Sequence, residues 1–472
     1  MSEKPKLWKN FSPFFTFAGF SQMAIYSIIV NFVPISFVIW PEEPYHAFEI
    51  GLLLAAYFWA MSISGIVFSR YIDKHSRKKI YLTCQSLRGI LFVLLASIPM
   101  GQGLSSFGIV FIIVIGLGSS SGLLGPAIHS FSNDVLERDQ RSQFFGVLGT
   151  IDMISSLAGP LISSFLIQYG YWSIYFLISG IIILVLVIYG AFSLNEPKRA
   201  AKTEGIKDII QMSDVTYEYQ MNMKTLRSTM LSKTNLAALI EGLFTCLFYK
   251  MTESLILPYV QTPPHNVSPF NTMLILIGFG FPGALLSQLL LAKKSDALGK
   301  RNPIIRIKFI VFSLFAGFGF VIVYFFLPFP NLTPEQGFNT GLLFYYPIIW
   351  VAGILIFGQR AIQGIYNINQ PSIIQDINLP EAQGQIRAWN QFLETIGNGL
   401  GPLLGGVLLF SLSNDYQLVA IISILIGVPG VILWIYSLKF YQKDKDRIRD
   451  IIDKRADQMK RDISQNKRKS EK

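Results

Sequence analysis

The stretch SRYIDKHSRKK at residues 69–79 separates two long apolar segments, and this arrangement decides the fold. Residues 51–68 precede it and residues 80–98 follow it, and each segment is long enough to cross a bilayer. A short loop rich in Lys and Arg between two spans is typical of the cytoplasmic side of a membrane. Residues 293–301, KKSDALGKR, repeat the arrangement, so the sequence predicts a cytoplasmic hairpin loop that occurs twice.

The composition supports a membrane protein. The chain has 472 residues, of which 51% are hydrophobic and only 15% are charged, and a soluble protein of this length would carry more charge. The net charge of +11 does not indicate a nucleic-acid partner, because Lys and Arg lie in loops between alternate apolar segments. Cys84 and Cys246 both lie inside apolar segments, so no disulfide scaffold is expected.

Twelve segments have the length and composition of membrane spans. The loops after the odd-numbered spans contain no Lys or Arg, and only Arg88, Lys250 and Arg360 lie deep inside spans. This partition predicts that both termini lie in the cytoplasm, with the plasma membrane as the expected location. The predicted spans lie near residues 12–39, 48–70, 79–99, 105–131, 142–167, 172–193, 235–260, 270–292, 303–327, 341–370, 385–411 and 416–438.

The first and last parts of the chain need separate interpretation. Lys4, Lys6 and Lys9 precede the first apolar segment as in a signal peptide, but that segment is too long and lacks a small-residue cleavage site, so we predict a retained span. The basic tail carries Ile448, Ile451, Ile452, Met459 and Ile463 at helical spacing. It is either an amphipathic helix on anionic lipid or a solvated helix.

The chain divides into two similar halves joined by a polar linker. An offset of 242 residues places Asp134 on Asp376, Asp152 on Glu394 and Gly159-Pro160 on Gly401-Pro402. Nearer the front of each half, an offset of 223 or 224 matches Asp73 with Asp296 and Pro34 with Pro258. We therefore predict an all-α polytopic membrane protein with two six-helix bundles at 1–194 and 235–440, a cytoplasmic linker at 195–234 and a tail at 441–472.

Over its whole membrane part the chain resembles the major facilitator superfamily of secondary transporters. The loop between spans two and three carries the family's charges at Asp73, Lys74, Arg77 and Lys78, whereas Ser69 and Ser76 replace its two glycines. The resemblance implies a charge relay in which Arg77 bridges Asp73 and Asp134. The corresponding residues of the second half are Asp296, Lys300, Arg301 and Asp376. The alternative is that these charges only fix topology.

Two further family motifs lie in the second half instead of the first. Span ten carries RAIQG at 360–364 and span eleven carries GPLLGG at 401–406, whereas span five has the degraded form GPLISS at 159–164. Both motifs are typical of exporters in this family, in which they belong to spans four and five.

Ionisable groups at membrane depth are costly and therefore mark candidate sites. Lys250 and Glu253 lie three residues apart on span seven, so they share a helix face, whereas Glu241 lies on the opposite side. Glu241 either packs against a neighbouring span or carries a proton. Arg360 either binds an anion or forms a salt bridge with Glu241 or Glu253. The predicted cavity residues are Gln22, Asn31, Glu241, Lys250, Glu253, Arg360 and Asn367.

Asp152 and Glu394 occupy equivalent places beside the Gly-Pro pairs. Each is either a proton carrier or an acid that fixes helix packing by hydrogen bonds. Arg88 lies on an outer helix in this family, so we expect it to snorkel or to pair with an acid outside the site. The four His residues show no metal-ligand spacing, and no phosphate-binding glycine loop is present.

Together these features predict a secondary transporter and not an enzyme. We expect a monomer without cofactor or metal that moves a small organic solute by alternating access with proton coupling, more often outward than inward, while its basic tail contacts membrane lipids. Two alternatives stay open: an uncoupled facilitator or lipid-handling protein of the same fold, and a membrane receptor or scaffold that does not transport.

Overall fold

The computed structural model describes residues 7–41, 43, 45–68, 76–99, 101–135, 138–194, 231–379 and 382–454. Within these ranges the structure does not describe the side chains of residues 7–11, 77, 129–135, 138–143, 296, 300 and 383–385. The predicted linker falls almost entirely outside it. The described ranges contain helices and no strand.

In the part of the chain that the structure describes, twelve helical spans run in alternating directions. Span one is Leu7–Val30, continued by Phe32–Ile39, and span eight is Pro269–Leu286, continued by a π-helical turn at Ser287–Leu291 and by Ala292–Arg301. The others are Ala47–Val67, Arg77–Ala96, Leu104–Val135, Arg138–Gln168, Trp172–Ser193, Lys233–Gln261, Ile304–Phe325, Pro347–Asp376, Gln383–Ser411 and Tyr416–Ser437.

The prediction of twelve spans is confirmed. Eleven helices in the described part of the chain are long and apolar enough to cross a membrane. The twelfth is Lys233–Gln261, a 29-residue helix that carries Glu241, Lys250 and Glu253. Its length suffices to cross a bilayer, and its charges distinguish it from the other spans.

Serine side chains begin several spans. The hydroxyls of Ser76, Ser232 and Ser268 each accept a hydrogen bond from a backbone N–H three residues later, which stabilises the first turns of spans three, seven and eight. Ser76 stands where the family pattern has glycine. The substitution therefore serves as a helix cap.

Two predicted boundaries are wrong. Residues 293–301 are a helical continuation of span eight and not a loop, because no proline interrupts them before Pro303, where the chain turns into span nine. Span ten begins at Pro347 and not near residue 341. Thr340–Tyr345 forms a separate short helix, and the restricted backbone of Tyr346 before Pro347 divides the two.

The spans form two bundles, each with its own buried core. In the first half, Ile25, Phe92 and Phe176 are buried together, and in the second half Phe248, Phe318 and Trp434 form part of a separate cluster. We call the helix ends joined by the Lys- and Arg-rich segments the basic end, and the other the opposite end.

The bundles touch near the opposite end. On spans two and eleven, a Cβ atom at Gly51 would collide with the carbonyl of Pro402, and one at Gly406 with the carbonyl of Ala47. Phe165 of span five packs on Phe270 of span eight with ring centroids 5.3 Å apart. In the basic-end halves, by contrast, the polar residues Thr150, Asn367 and Gln391 are exposed. The two bundles therefore diverge toward the basic end.

The first part of the tail is a helix that docks on the second bundle. Residues 441–454 are helical, with Tyr441 and Ile448 buried. Asp444 Oδ2 accepts from the hydroxyl of Thr234 at 2.6 Å, and Lys445 Nζ donates to Asp376 Oδ2 at 2.7 Å. Ile448 thus contacts protein, which neither predicted alternative anticipated. Met459 and Ile463 lie outside the described residues.

Candidate functional site

A cavity of ≈ 440 Å³ lies between the two bundles. Its walls come from spans one, two, five, seven, eight, ten and eleven, and most of the side chains are apolar. Three lining residues are charged, namely Lys250, Glu253 and Arg360. A mostly apolar cavity with a few convergent polar groups is the usual form of a small-molecule site.

The three charged residues form one connected cluster, which we call the charged triad. Lys250 Nζ donates to Glu253 Oε2 at 2.7 Å, and Arg360 Nη1 donates to Glu253 Oε1 at 2.7 Å and to Gln363 at 3.0 Å. Each oxygen of the single carboxylate therefore serves a different cation. Of the two predicted roles of Arg360, the structure shows the salt bridge, and its partner is Glu253 and not Glu241.

Small residues allow the spans to assemble this triad. Gly280 of span eight faces Arg360, and an added Cβ atom would lie 3.4 Å from its Cγ. At Gly401 of span eleven, an added Cβ would lie 3.0 Å from the Cβ of Lys250. The glycines thus leave room for the two cations to approach from different helices.

Glu241 lies inside the second bundle and does not line the cavity. Its side chain is fully buried, its Oε1 accepts from the hydroxyl of Thr245, and its Oε2 accepts from Tyr366 at 3.3 Å. This position agrees with the packing alternative. Proton carriage by Glu241 stays a prediction.

Asp152 and Glu394 have equivalent environments in the two bundles. Asp152 accepts from Gln22 at 3.1 Å and from Tyr26 at 3.1 and 3.2 Å. Glu394 accepts from Gln370 at 2.8 Å and from Asn390 at 2.7 Å. Both carboxyls are partly exposed, and neither forms a salt bridge within the described residues.

The remaining predicted cavity residues separate into different environments. Gln22 belongs with Asp152, and Asn31 is buried, donating to Ser163 at 2.8 Å and accepting from Ser164 at 3.0 Å. Asn367 is exposed in the basic-end half of span ten. A cleft of ≈ 720 Å³ among the loops at the opposite end is lined by none of the predicted site residues.

The predicted charge relay lies mostly outside the description. Asp73 is not described, and the side chains of Arg77, Asp134, Asp296 and Lys300 are not described either, while Arg301 is exposed. Asp376 is described and accepts from Lys445 and from Tyr441 at 3.0 Å. Burial and then the charge of Asp376 raise the pKa of Tyr441, which keeps its hydroxyl as a donor. Sequence reasoning missed these tail partners.

Arg88 is another residue whose environment was not foreseen. It is only 3% exposed and donates to Ser120 at 3.0 Å, Ser21 at 2.6 Å and Ser121 at 2.6 Å. The expectation that it snorkels or pairs with an acid is wrong, since its described partners are three hydroxyls. The run of serines at 119–121 in an otherwise apolar span was the available signal.

Curated proteins with detectable similarity match only part of the chain. The proton-coupled antiporter flippase LtaA of Staphylococcus aureus strain MSSA476 is 28% identical over 141 residues, which are 29% of this chain and 35% of that protein. The LtaA protein of strain USA300 is 27% identical over the same shares. The match thus spans about a third of these relatives' length.

Solved structures resemble the chain over nearly its whole length. A bacterial homolog of the human lysosomal transporter Spinster, in an inward-facing and unoccupied conformation, matches with a TM-score of 0.69 and 16% identity, covering 94% of this chain and 99% of that one. The nucleoside transporter NupG matches with a TM-score of 0.60 and 14% identity, covering 92% and 98%. These identities show the fold alone.

The sequence pattern of the Major Facilitator Superfamily matches residues 14–397, which is most of the chain. This match agrees with the twelve spans, the two bundles and the cavity between them. The chain is an integral, multi-pass membrane transporter that belongs to the Major Facilitator Superfamily.

Proposed function

We propose that the chain is a proton-coupled secondary transporter that moves a small organic solute out of the cytoplasm by alternating access. The observation that carries this proposal is the charged triad in a cavity between two bundles that diverge at one end. The basic end is the cytoplasmic one, with both termini there, because Lys and Arg concentrate on the cytoplasmic side. The expected membrane is the plasma membrane.

Proton coupling rests on carboxyls that have no cation partner in the described structure. Asp152 and Glu394 are held by amides and a phenol, so protonation breaks no salt bridge. Both are partly exposed, which gives protons access. The relative named as a proton-coupled antiporter supports this coupling.

Inside-out vesicles with an imposed pH gradient and a panel of labelled solutes test the proposal. We expect accumulation that a protonophore abolishes and that Glu253→Gln or Arg360→Ala reduces at least about tenfold, since each loses a charge-assisted bond. Lys308→Ala, which removes an exposed lysine outside the cavity, is the matched control. Full transport by several triad variants would show that the triad is not the transport site. Accumulation that the protonophore does not affect would indicate an uncoupled facilitator.

A second candidate function is the movement of a lipid between leaflets. It is favoured by the apolar walls of the cavity and by the flippase named among the relatives. A fluorescent-lipid assay in proteoliposomes would show faster loss of the outer-leaflet signal with the protein than without it. If the protein does not change the rate of signal loss for any lipid tested, lipid movement is excluded and transport of a soluble solute is the function that stays.

A further inference from the structure

The positive and negative charges of the residues that line the cavity are unequal in number. Lys250 and Arg360 supply two positive charges and Glu253 supplies one negative charge. The other carboxyls of the interior do not share partners with the triad, because Asp152, Glu241 and Glu394 accept from separate neutral donors. The cavity lining therefore carries one net positive charge.

Both cations keep donors that no described residue of the protein accepts from. Arg360 makes its described hydrogen bonds through Nη1 alone, so its Nε and Nη2 donors have no partner within the described residues. Lys250 uses one of its three N–H groups on Glu253, and its Nζ lies 5.7 Å from the centre of the Phe58 ring. Their side chains are 41% and 34% exposed, so these donors are accessible from the cavity. The Nε–Nη2 edge of a guanidinium matches a carboxylate or phosphate with two parallel bonds.

The apolar walls continue along one seam between the bundles. Span eight contributes Leu276, Ile277, Phe281 and Leu285 to the cavity lining, and span five contributes Leu157 to the same cavity. At the other seam, glycines bring the backbones of spans two and eleven together. The space for an apolar body thus lies between spans five and eight.

We propose that the cavity binds an amphiphile with one anionic group, held by Arg360 and Lys250, and an apolar body along spans five and eight. This inference rests on the proposed function and specifies its substrate class. A soluble organic acid and a single-chain anionic lipid share this chemistry, so the source is left to the experiment.

Equilibrium binding to the full-length protein in nanodiscs of zwitterionic lipid tests the inference. The probes are decanoate, decylammonium, 1-decanol, acetate and lysophosphatidate. We expect decanoate to bind at least about tenfold more tightly than decylammonium, 1-decanol or acetate, because a charged hydrogen bond and a buried ten-carbon chain each contribute more than about 1.4 kcal/mol. Lysophosphatidate binding more tightly than decanoate would support a lipid source, and the reverse order a soluble source.

Variants separate the two parts of the site. Arg360→Gln should weaken decanoate binding at least about tenfold and leave 1-decanol binding unchanged, whereas Lys308→Gln should change neither. Glu253→Gln should strengthen decanoate binding, because it removes the competing carboxylate. Arg360→Lys replaces the first variant if that variant does not fold, and it should weaken binding less.

The outcomes also distinguish this inference from the transport proposal. Equal or tighter binding of decylammonium, equal binding of acetate and decanoate, or unchanged decanoate binding in both Arg360 variants would overturn the inference. Proton-driven transport of decylammonium would contradict the anionic class and leave the transporter intact. Selective decanoate binding without flux of any probe would support the anionic site and contradict the proposed function.

Discussion

Glu253 holds two cations that come from different helices, and this makes it the most connected charge in the cavity. Spacing on one helix was enough to predict its pairing with Lys250. The partner of Arg360 could not be predicted, because sequence spacing does not tell which neighbouring helix approaches which face. The buried position of Glu241 could not be predicted for the same reason.

Coupling within the triad is measurable. We expect a double-mutant cycle of Glu253→Gln and Arg360→Gln to give a coupling energy of about 1 kcal/mol or more, since the two side chains share a charge-assisted hydrogen bond. Chemical unfolding of the four proteins in a single detergent gives the four free energies. Additive effects of the two substitutions would contradict a direct interaction.

Removal of the Arg88 charge, by contrast, should not destabilise the protein. Ser120 and Ser121 already donate to the Leu117 carbonyl, so among the three hydroxyls only that of Ser21 loses its described partner when Arg88 is removed. We expect Arg88→Met to be at least as thermally stable as the parent protein, because a buried cation with no carboxylate among its described partners is replaced by an apolar side chain. A melting temperature that falls by several degrees would show that the serine cluster depends on the guanidinium.

His265 connects stability with pH at the opposite end. Burial lowers its pKa, although the bond of its Nδ1 to the Pro330 carbonyl at 3.1 Å acts the other way. The unfolded chain then binds a proton more readily than the folded one, so stability falls as pH drops through the ordinary value of about 6.5. Melting curves at pH 7.5 and 5.5 should differ more for the parent than for His265→Gln. Equal differences would contradict this role.

At the scale of elements, the Gly-Pro pairs show how the two halves repeat. A Cβ atom at Gly159 would collide with the Met23 carbonyl, and one at Gly401 would lie 2.7 Å from the Leu247 carbonyl. Met23 and Leu247 are related by the 224-residue offset and the glycines by the 242-residue offset found in the sequence. The motif was recognisable from sequence, but its contact with the first span of each half was not.

Substitution of these glycines tests the packing. We expect Gly159→Ala and Gly401→Ala to lose about 1–3 kcal/mol of stability each, because the added methyl group has no space beside a backbone carbonyl. Gly319→Ala is the control, since nothing lies within 4 Å of its added Cβ. Comparable melting temperatures for all three variants would contradict the close approach.

The tail helix shows what helical spacing cannot decide. Apolar residues at that spacing predict an amphipathic helix, but they do not tell whether its apolar face meets lipid or protein. The burial of Tyr441 and Ile448 in the core of the second bundle decides for protein, and the contacts of Asp444 with Thr234 and of Lys445 with Asp376 add to this docking. These contacts connect the basic ends of spans seven and ten to the tail.

At the scale of the whole molecule, the twelve spans were predictable because long apolar segments recur along the entire chain. The orientation that the distribution of Lys and Arg indicates stays a prediction. The conformation was not predictable, because the sequence pattern does not tell at which end the two bundles meet. The contacts at Gly51, Gly406 and Phe165 show that the bundles meet at the opposite end.

A bulky residue in this seam should shift the conformation. In Gly51→Leu the side chain occupies the place of the Pro402 carbonyl, so we expect the seam to separate and the basic end to close. Gly319→Leu, which meets open space, is the control. Increased labelling of a cysteine at Tyr45 by an impermeant reagent checks the separation, and unchanged labelling would contradict it.

The most direct test of alternating access measures two distances by electron paramagnetic resonance, with Cys84 and Cys246 replaced. Labels at Ser193 and Lys308 report the basic end, and labels at Tyr171 and Phe326 report the opposite end, all four at exposed helix ends. When Gly51→Leu is introduced, we expect the first distance to shorten by several ångströms while the second lengthens. Distances that stay unchanged, or that change in the same direction, would show that the two ends do not open alternately.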